Sequence, residues 1–320
     1  MWYPADPATS SDVMRYIDYL HYRGGEEFAD LDEPFDAYDR QSWIKDLSDV
    51  APNGPELAAR LFATETAAHR DAAPARSRFP LLLYSSGLGA RGDSNAELGE
   101  FLATHGFVVA TVPNLGVSRE HMDMGNAAPD IEAHTRDLEF AWDRLRTFPF
   151  IDATNVATAG HSAGGTVTLY LAMRHPEIKA VISLDGSFGF TGYVRKMKAL
   201  PDYAPARVKA ALLDLRRANH VQDATHDFAI IRALRRSDRY LVSFPHMFHG
   251  DFTEFAPIGY LLNVPLPPNK DGRTRKTGFD GNQRAYRAIL DFLDAKLRGD
   301  RGAMKRMRSE LGGAVRMHAE

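Results

Sequence analysis

The chain contains no cysteine. Disulfide scaffolds, thiolate nucleophiles and thiolate metal sites are therefore excluded, while the redox state of its compartment stays open. No run of about 18 apolar residues occurs, so no transmembrane segment is expected. Positive charge is not in excess either, because 39 Lys and Arg stand against 42 Asp and Glu, for a net charge of −3. Without a basic field, nucleic acid is not expected as a partner.

Targeting signals are also missing from the start of the chain. It begins Met1-Trp2-Tyr3-Pro4, with neither a basic region nor an apolar region after it. We expect no signal peptide in the chain as given, which leaves a cytoplasmic protein and the mature form of an exported one as alternatives. The 44% hydrophobic and 25% charged residues are typical of a soluble globular protein. A single domain over residues 1–320 is expected.

From residue 79 onward, short apolar runs alternate with helix-like segments. Strands are predicted at residues 80–84, 107–112, 155–159, 180–184, 208–215 and 240–244. Helices are predicted at residues 94–105, 131–148, 166–174, 228–234 and 282–297. Continuous apolar runs are typical of strands buried on both faces. The alternation predicts an α/β fold with a mostly parallel central sheet and helices on both faces.

The two ends of the chain are expected to be less regular. Residues 1–78 are predicted to be irregular and partly acidic, apart from a helix over 53–69 that Pro55 helps to open. The acidic run at residues 26–33 is interpreted as a solvated face. The tail at residues 300–320 carries several basic side chains, and it predicts either a solvated basic end or a docking helix.

The segment Gly160-His161-Ser162-Ala163-Gly164-Gly165 lies between a predicted strand and a predicted helix. In that context G-x-S-x-G is typical of a nucleophile elbow, a strained turn that presents a serine at the end of a sheet. Its glycines are needed because a Cβ there would collide with the neighbouring strand and helix. Ligands of parallel sheets bind at the carboxyl ends of the strands. We therefore predict Ser162 as a nucleophile and the Ala163 amide as a donor to an oxyanion.

A serine nucleophile needs a histidine base, which in this arrangement follows the serine along the chain. His246 and His249 both follow the last predicted strand. We predict His249 as the base, because it lies further into the loop and precedes a glycine. His246 is interpreted as a pocket wall or as a residue that supports the site from behind. As a pair they lack a third ligand nearby, so no metal site is predicted.

Three aspartates compete for the role of orienting that histidine. Asp185 directly follows the strand at 180–184, whereas Asp223 and Asp227 follow the next predicted strand. Asp185 also begins an Asp-Gly pair, which is a common turn dipeptide. Chain order and position at a strand end favour Asp185 without separating it fully from its rivals.

Further residues are predicted around the serine from their positions. The second oxyanion donor is expected in the Gly-rich loop at residues 85–89, where we predict the Leu88 amide. His161, next to the nucleophile, is a candidate pocket residue. Met122 lies in the irregular stretch at residues 116–130, which is a candidate cover for an acyl pocket. Alternatively, such methionines fill gaps in the core.

Taken together, these motifs resemble the plasma-type (group VII) platelet-activating-factor acetylhydrolases and their bacterial relatives, in the α/β-hydrolase superfamily. The matching segments are Trp2–Ala5, Leu83–Gly89, Ala103–Phe107, the elbow, Leu184-Asp185, and His249 with Phe252 and Phe255. The resemblance implies an α/β-hydrolase fold, Asp185 as the triad acid, and hydrolysis of esters with short or modified acyl groups without a metal. Ser86 and the stretch at 113–116 depart from the family, so phospholipid specificity is not carried over.

The leading hypothesis is a serine carboxylic-ester hydrolase that cleaves a small-molecule ester through an acyl-enzyme, without a cofactor. A serine peptidase or acyltransferase on the same fold is one alternative, although peptidases of this fold usually carry a large extra domain for which 320 residues leave no room. A catalytically silent hydrolase fold used for binding is the other, and it would need a missing triad member. The acyl group, the alcohol, the oligomeric state and the role of the tail stay open.

Overall fold

A computed structural model describes residues 1–6, 12–21, 23, 29, 32–89, 91, 93–112, 127–218, 226–266, 272–312 and 316–319. Met122, Asp223, and most of the acidic run at 26–33 lie outside the described residues. The strands are β1 (Val13–Arg15), β2 (Glu65–His69), β3 (Phe79–Ser85), β4 (Val108–Thr111), β5 (Ile151–His161), β6 (Ala180–Leu184), β7 (Ala211–Arg217), β8 (Arg239–Phe244) and β9 (Arg316–Ala319). The helices are α1 (Asp32–Val50), α2 (Gly54–Ala63), α3 (Ala96–Thr104), α4 (Ala128–Leu145), α5 (Ala163–Arg174), α6 (Thr191–Lys198), α7 (Ala229–Ala233), α8 (Phe255–Leu261), α9 (Arg275–Leu297) and α10 (Ala303–Leu311).

The larger sheet runs through the middle of the chain. Its strands follow the order β4-β3-β5-β6-β7-β8-β9. Neighbouring strands are parallel from β4 to β8, and β9 is antiparallel to β8. All six strands predicted from the apolar runs are present. The carboxyl ends of β5, β6 and β7 therefore lie side by side at one edge of the sheet.

Helices cover both faces of this sheet. Side chains of a strand alternate between its faces, so in β3 Leu81 and Leu83 pack with α4 to α7, while Leu82 and Tyr84 pack with α3, α9 and α10. Burial on both faces explains why the strands are continuously apolar. The predicted α/β fold class is confirmed. Within the described part of the chain, no helix has the length and apolar character needed to cross a membrane.

Residues 1–78 are more regular than predicted. They contain α1, α2 and a two-stranded antiparallel sheet of β1 and β2. A small core of its own joins α1, α2 and α8, with Trp43 and Leu47 at its centre. The expectation of an irregular segment was wrong for a physical reason. The buried face of α1 includes Asp36 and Asp39, so its sequence lacks the apolar period that reveals an amphipathic helix.

The helix predicted over 53–69 ends at Ala63. Thr64 has extended backbone angles, and its hydroxyl donates to the carbonyl oxygen of Arg60 at 2.9 Å. The next five residues form β2 instead and pair with β1. Their alanines and glutamate favour a helix locally, but strand pairing overrides that preference, since propensity is a weak local effect.

The C-terminal tail docks on the sheet and its covering helix. Ala303, Met307 and Leu311 of α10 are buried, while Arg306 forms ion pairs with Asp291 at 2.8 Å and Asp300 at 2.9 Å. Beyond it, the backbone of β9 extends the sheet next to β8. Of the two alternatives for the tail, the structure has the docking helix, with its basic side chains turned outward.

Candidate active site

Ser162 occupies a sharp turn between β5 and α5. Its φ is 54° and its ψ is −122°, a region that costs free energy for a residue with a side chain. Its N–H donates to the carbonyl oxygen of Leu184 at 3.1 Å, and its own carbonyl accepts from the N–H of Ser187 at 2.8 Å. These hydrogen bonds to β6 and the residues that follow it hold the turn in its strained form.

The structure shows why the elbow needs its glycines, and the steric reason is the one predicted from the sequence. A Cβ at Gly160 would overlap the backbone of Gly164 at the start of α5. A Cβ at Gly164 would overlap the carbonyl groups of Ser85, the last residue of β3, and of Ser86. Any larger residue would therefore push the helix away from the strands and move Ser162 with it.

His249 and Asp185 are in direct contact. Nδ1 of His249 lies 2.6 Å from Oδ2 of Asp185. Asp185 is buried at the carboxyl end of β6, and its N–H donates to the carbonyl oxygen of Leu215 at 2.6 Å. His249 opens a short 3-10 turn after β8 and is half-buried. The carboxylate is therefore shielded from solvent, while the ring that it contacts reaches a cavity.

One cavity of about 280 Å³ brings most of the predicted residues together. Ser162, His161 and His249 line it, with Gly87, Leu88 and Gly89 of the loop after β3. Leu88 is half-exposed there, and Ala163 is buried directly behind Ser162 as the first residue of α5. The predicted nucleophile, base and oxyanion loop thus share a cavity, and the predicted acid lies behind the base.

His161 is buried and lies against His249. Its Nε2–H donates to the backbone carbonyl oxygen of His249 at 3.0 Å. Burial, with the nearby His249 as a smaller cause, lowers the pKa of His161 to about 3. A neutral imidazole is therefore expected beside the predicted base at all ordinary pH values.

The other predicted residues lie elsewhere. His246 is exposed and does not belong to the described residues that line the cavity. The carboxylate of Asp227 accepts from the N–H of Ala229 at 2.8 Å and lies 3.5 Å from Arg232, so it serves the start of α7. In the described residues, no group of three or more His, Asp or Glu side chains could hold a metal ion.

Sequence comparisons give partial matches around this site. Residues 137–238, which include Ser162 and Asp185, match a family model described as BAAT / Acyl-CoA thioester hydrolase C terminal. The chain is 35% identical to Cutinase est1 of Thermobifida alba over 109 residues, and 35% identical to Cutinase 2 of Thermobifida cellulosilytica over 97 residues. These stretches are 32% and 28% of the chain and 33% of each cutinase. The chain thus spans about a third of the length of the curated relatives it matches.

A solved structure matches over most of the chain. It is the ferulic acid esterase from Streptomyces cinnamoneus, with a TM-score of 0.59 over 81% of this chain and 79% of that one. The chain has the α/β-hydrolase fold. Sequence identity across this match is 22%, so the likeness concerns the fold alone.

Two features around this cavity are missing from the sequence-based prediction. First, Arg217 contacts the predicted acid. Its Nε lies 3.0 Å from Oδ2 of Asp185, and its backbone N–H donates to Oδ1 at 3.2 Å. Arg217 is the last residue of β7, so a search of strand ends for cations near Asp185 could have found it.

Second, a charged cluster from distant parts of the chain lines the cavity. Nη1 of Arg91 lies 2.9 Å from Oδ2 of Asp46, and Nη2 lies 3.9 Å from Oε1 of Glu254. The Arg91 guanidinium also lies over the Trp43 ring, 4.0 Å from its centroid. Burial, with Asp93 as a smaller cause, raises the pKa of Glu254 to about 7. No local sequence pattern predicts these contacts, which join α1, the loop after β3 and the segment between His249 and α8.

Proposed function

We propose that the chain is a serine carboxylic-ester hydrolase with Ser162, His249 and Asp185 as its triad. The observation that carries the proposal is the 2.6 Å contact between His249 Nδ1 and Asp185 Oδ2, beside a cavity that Ser162 also lines. A histidine held by a carboxylate next to a strained serine is the arrangement that acyl transfer requires. The names of the sequence relatives, cutinases that are 35% identical over about a third of their length, support the same reaction class.

In the first half-reaction, Ser162 Oγ attacks the carbonyl carbon of the ester while His249 Nε2 accepts the hydroxyl proton. Asp185 holds the Nδ1–H tautomer and stabilises the imidazolium that forms. The carbonyl oxygen becomes an oxyanion, which accepts hydrogen bonds from the N–H groups of Leu88 and Ala163. Collapse of the intermediate breaks the bond to the alcohol oxygen, and His249 returns its proton to the departing alcohol.

In the second half-reaction, water attacks the acyl group on Ser162. His249 accepts a proton from that water, and the same two N–H groups stabilise the second oxyanion. Collapse then breaks the acyl–Oγ bond, the proton goes to Ser162 Oγ, and the carboxylic acid leaves. The chemistry thus uses side chains and backbone of the chain alone.

The cavity supports a short or compact acyl group. Its volume of about 280 Å³ lies just below the usual range for ligand pockets, roughly 300–1,000 Å³. Leu88 and Phe255 give it some apolar wall, but Asp46 and Arg91 make another part of it charged, and Glu254 adds a further polar group there. Long alkyl chains gain little against charged groups. The finer resemblance to acetylhydrolases agrees with a short acyl group and stays a prediction.

A second candidate is thioester cleavage by the same acyl-enzyme route. The family model that matches residues 137–238 is described as an acyl-CoA thioester hydrolase domain, and this observation favours the candidate. A thioester carbonyl is attacked in the same way, with a thiol as the leaving group. An acyltransferase differs only in that an alcohol or amine replaces water in the second half-reaction.

The test is the hydrolysis of p-nitrophenyl esters from acetate to dodecanoate, with acetyl-CoA as the thioester arm. The wild-type chain is expected to prefer the shortest acyl groups. Ser162→Ala is expected to lose about 10³-fold or more in kcat, with an unchanged circular dichroism spectrum. Equal turnover by both proteins, or none by either, would overturn the proposal. Ligand-induced thermal shifts without turnover would favour the silent binding fold instead.

A further inference from the structure

We propose that Arg217 is a positioning residue for Asp185 and that its positive charge extends the activity of the enzyme to lower pH. The inference rests on the proposed function and adds a residue to it. Its basis is a shared oxygen: Oδ2 of Asp185 lies 2.6 Å from His249 Nδ1 and 3.0 Å from Arg217 Nε. One carboxylate oxygen thus serves the predicted base and a permanent cation at once.

The sheet itself brings the arginine to this place. Leu184 of β6 is in register with Leu215 of β7. Asp185 directly follows Leu184, and Arg217, two residues after Leu215, is the last residue of β7, so the two side chains meet where both strands end. The Arg217 N–H donates to Oδ1 of the same carboxylate at 3.2 Å. The backbone of Arg217 therefore holds Oδ1 by a hydrogen bond, while its guanidinium lies against Oδ2 as an ion pair without a hydrogen bond from Nε to any residue that the structure describes.

The ion pair is shielded enough to matter. The Asp185 side chain has no exposed surface, and the Arg217 side chain is 25% exposed. Charges in such a setting are screened less than surface pairs, whose mutual effect is small. An opposite charge within about 4–6 Å shifts the pKa of a neighbouring group by about one unit or more. Arg217 therefore competes with the imidazolium form of His249 for the negative charge of Asp185.

The consequence for catalysis has a definite sign. Only the neutral form of His249 can accept a proton from Ser162. Because the carboxylate of Asp185 already interacts with the Arg217 guanidinium, it stabilises the imidazolium form of His249 less than an unpaired aspartate would. Without Arg217, the full negative charge would favour the imidazolium, and activity would be lost at a higher pH as the medium is acidified.

The neighbouring charged groups do not replace Arg217. Arg216 pairs with Asp214 and lies 3.0 Å from His226 Nε2. Its charge also interacts with Asp185, but this interaction is present in the wild type and in an Arg217 variant alike. His161, from the end of β5, faces His249 and stays neutral because burial lowers its pKa to about 3. Asp46, Arg91 and Glu254 lie across the cavity and pair with one another. All of these groups are unchanged in an Arg217 variant, so a change in the pH profile reports on Arg217.

The experiment measures kcat/KM for p-nitrophenyl acetate from pH 4.5 to 9 in wild type, Arg217→Gln, Arg217→Met and Arg217→Lys. We call the fall of kcat/KM on the acidic side of the pH profile the acid limb. In the Gln and Met variants the acid limb is expected to move to higher pH by about 0.5–1.5 pH units. Their plateau is expected to fall by about 10-fold, because the carboxylate is held less firmly. Lys keeps the charge but lacks the planar fork, so it should restore the limb and only part of the plateau. Arg232→Gln, an exposed arginine paired with Asp227, is the matched control and should follow the wild type.

An unchanged acid limb in Arg217→Gln or Arg217→Met would overturn the inference. A lower plateau at an unmoved limb would assign Arg217 a structural role alone. The two neutral variants differ in polarity, so either one suffices if the other does not fold. Ser162→Ala, measured in parallel, distinguishes a failure of this inference from a failure of the proposed function. If Ser162→Ala retains turnover, the proposed function is wrong. If it is inactive while the acid limbs of the wild type and the neutral Arg217 variants coincide, only the role of Arg217 is wrong.

Discussion

The imidazole of His161 packs on the imidazole of His249, with ring centroids 4.4 Å apart and planes inclined by 36°. Its Nε2–H also donates to the carbonyl oxygen of His249 at 3.0 Å. One residue of the elbow thus fixes both the backbone and the ring of the predicted base. Since burial keeps His161 neutral, it can do this without repelling an imidazolium form of His249.

Loss of this contact is expected to slow turnover without weakening substrate binding. His161→Phe retains an aromatic ring but removes the donor, so His249 is held less firmly. A single hydrogen bond contributes about 1 kcal/mol, and kcat should fall about 3- to 10-fold with KM little changed. His105→Phe, at an exposed histidine after α3, is the control. Wild-type kcat in His161→Phe would show that packing alone positions His249.

Asp185→Asn distinguishes the two described candidates for the triad acid. An amide in place of the carboxylate disfavours the required tautomer of His249 and cannot stabilise its positive charge. We expect kcat to fall by about 10³- to 10⁴-fold. Asp227→Asn should retain wild-type kcat, because Asp227 serves the start of α7. Steady-state kinetics on p-nitrophenyl acetate measures both, and a large loss in Asp227→Asn alone would contradict the assignment.

Gly87→Ala probes the spacing between the oxyanion loop and the elbow. An added Cβ would lie 3.1 Å from Ser162 Cβ and 3.2 Å from His161 Nδ1, so the loop must move away from the serine. Displacements of this kind cost about 10- to 100-fold in rate, and we expect such a loss in kcat/KM. Gly192→Ala, where a Cβ meets nothing within 4 Å, should have full activity. Equal kcat/KM values for the two variants would argue against a role for the loop at residues 87–89.

Two carboxyl groups with raised pKa values are expected to make the stability of the folded chain depend on pH near neutrality. Burial, then Glu100 and Glu254, raises the pKa of Glu97 to about 8, and burial raises that of Glu254 to about 7. Both values exceed the ordinary 4.5, so the folded state holds more protons than the unfolded state between these limits, and stability falls as the pH rises. The lowered pKa of His161 acts in the opposite sense, but only below about 6.5, its ordinary value.

The window to measure is therefore pH 6.5 to 8.5, where the two carboxyl groups outweigh the buried Met1 amino group, whose lowered pKa acts in the opposite sense. The thermal unfolding midpoint of the wild-type chain is expected to decrease across it, measured by circular dichroism at constant ionic strength. Glu97→Gln should reduce that decrease, because it removes the group with the higher pKa. Glu56→Gln, at an exposed position of α2, should leave the slope unchanged. A midpoint of Glu97→Gln that falls as steeply as that of the wild type would contradict the assignment.

The sheet and the three triad candidates could be predicted from sequence because their signals are local. Apolar runs mark buried strands; Asp185 follows such a run directly, and Ser162 and His249 follow theirs within a few residues. Arg217 lay beyond this reasoning, since the prediction ended its strand at residue 215. The contact of Asp46 with Arg91 joins residues 45 positions apart, and only tertiary packing creates it. The helix α1 stayed hidden because aspartates occupy part of its buried face.

The most direct test of the central claim is to locate the nucleophile by mass spectrometry after reaction with phenylmethanesulfonyl fluoride. This reagent transfers its sulfonyl group to an activated serine and loses fluoride. We predict one added group per chain, on the peptide that contains Ser162, together with loss of ester hydrolysis. We also predict no labelling of Ser162→Ala. A label on another residue, or complete inactivation with Ser162 unmodified, would contradict the central claim.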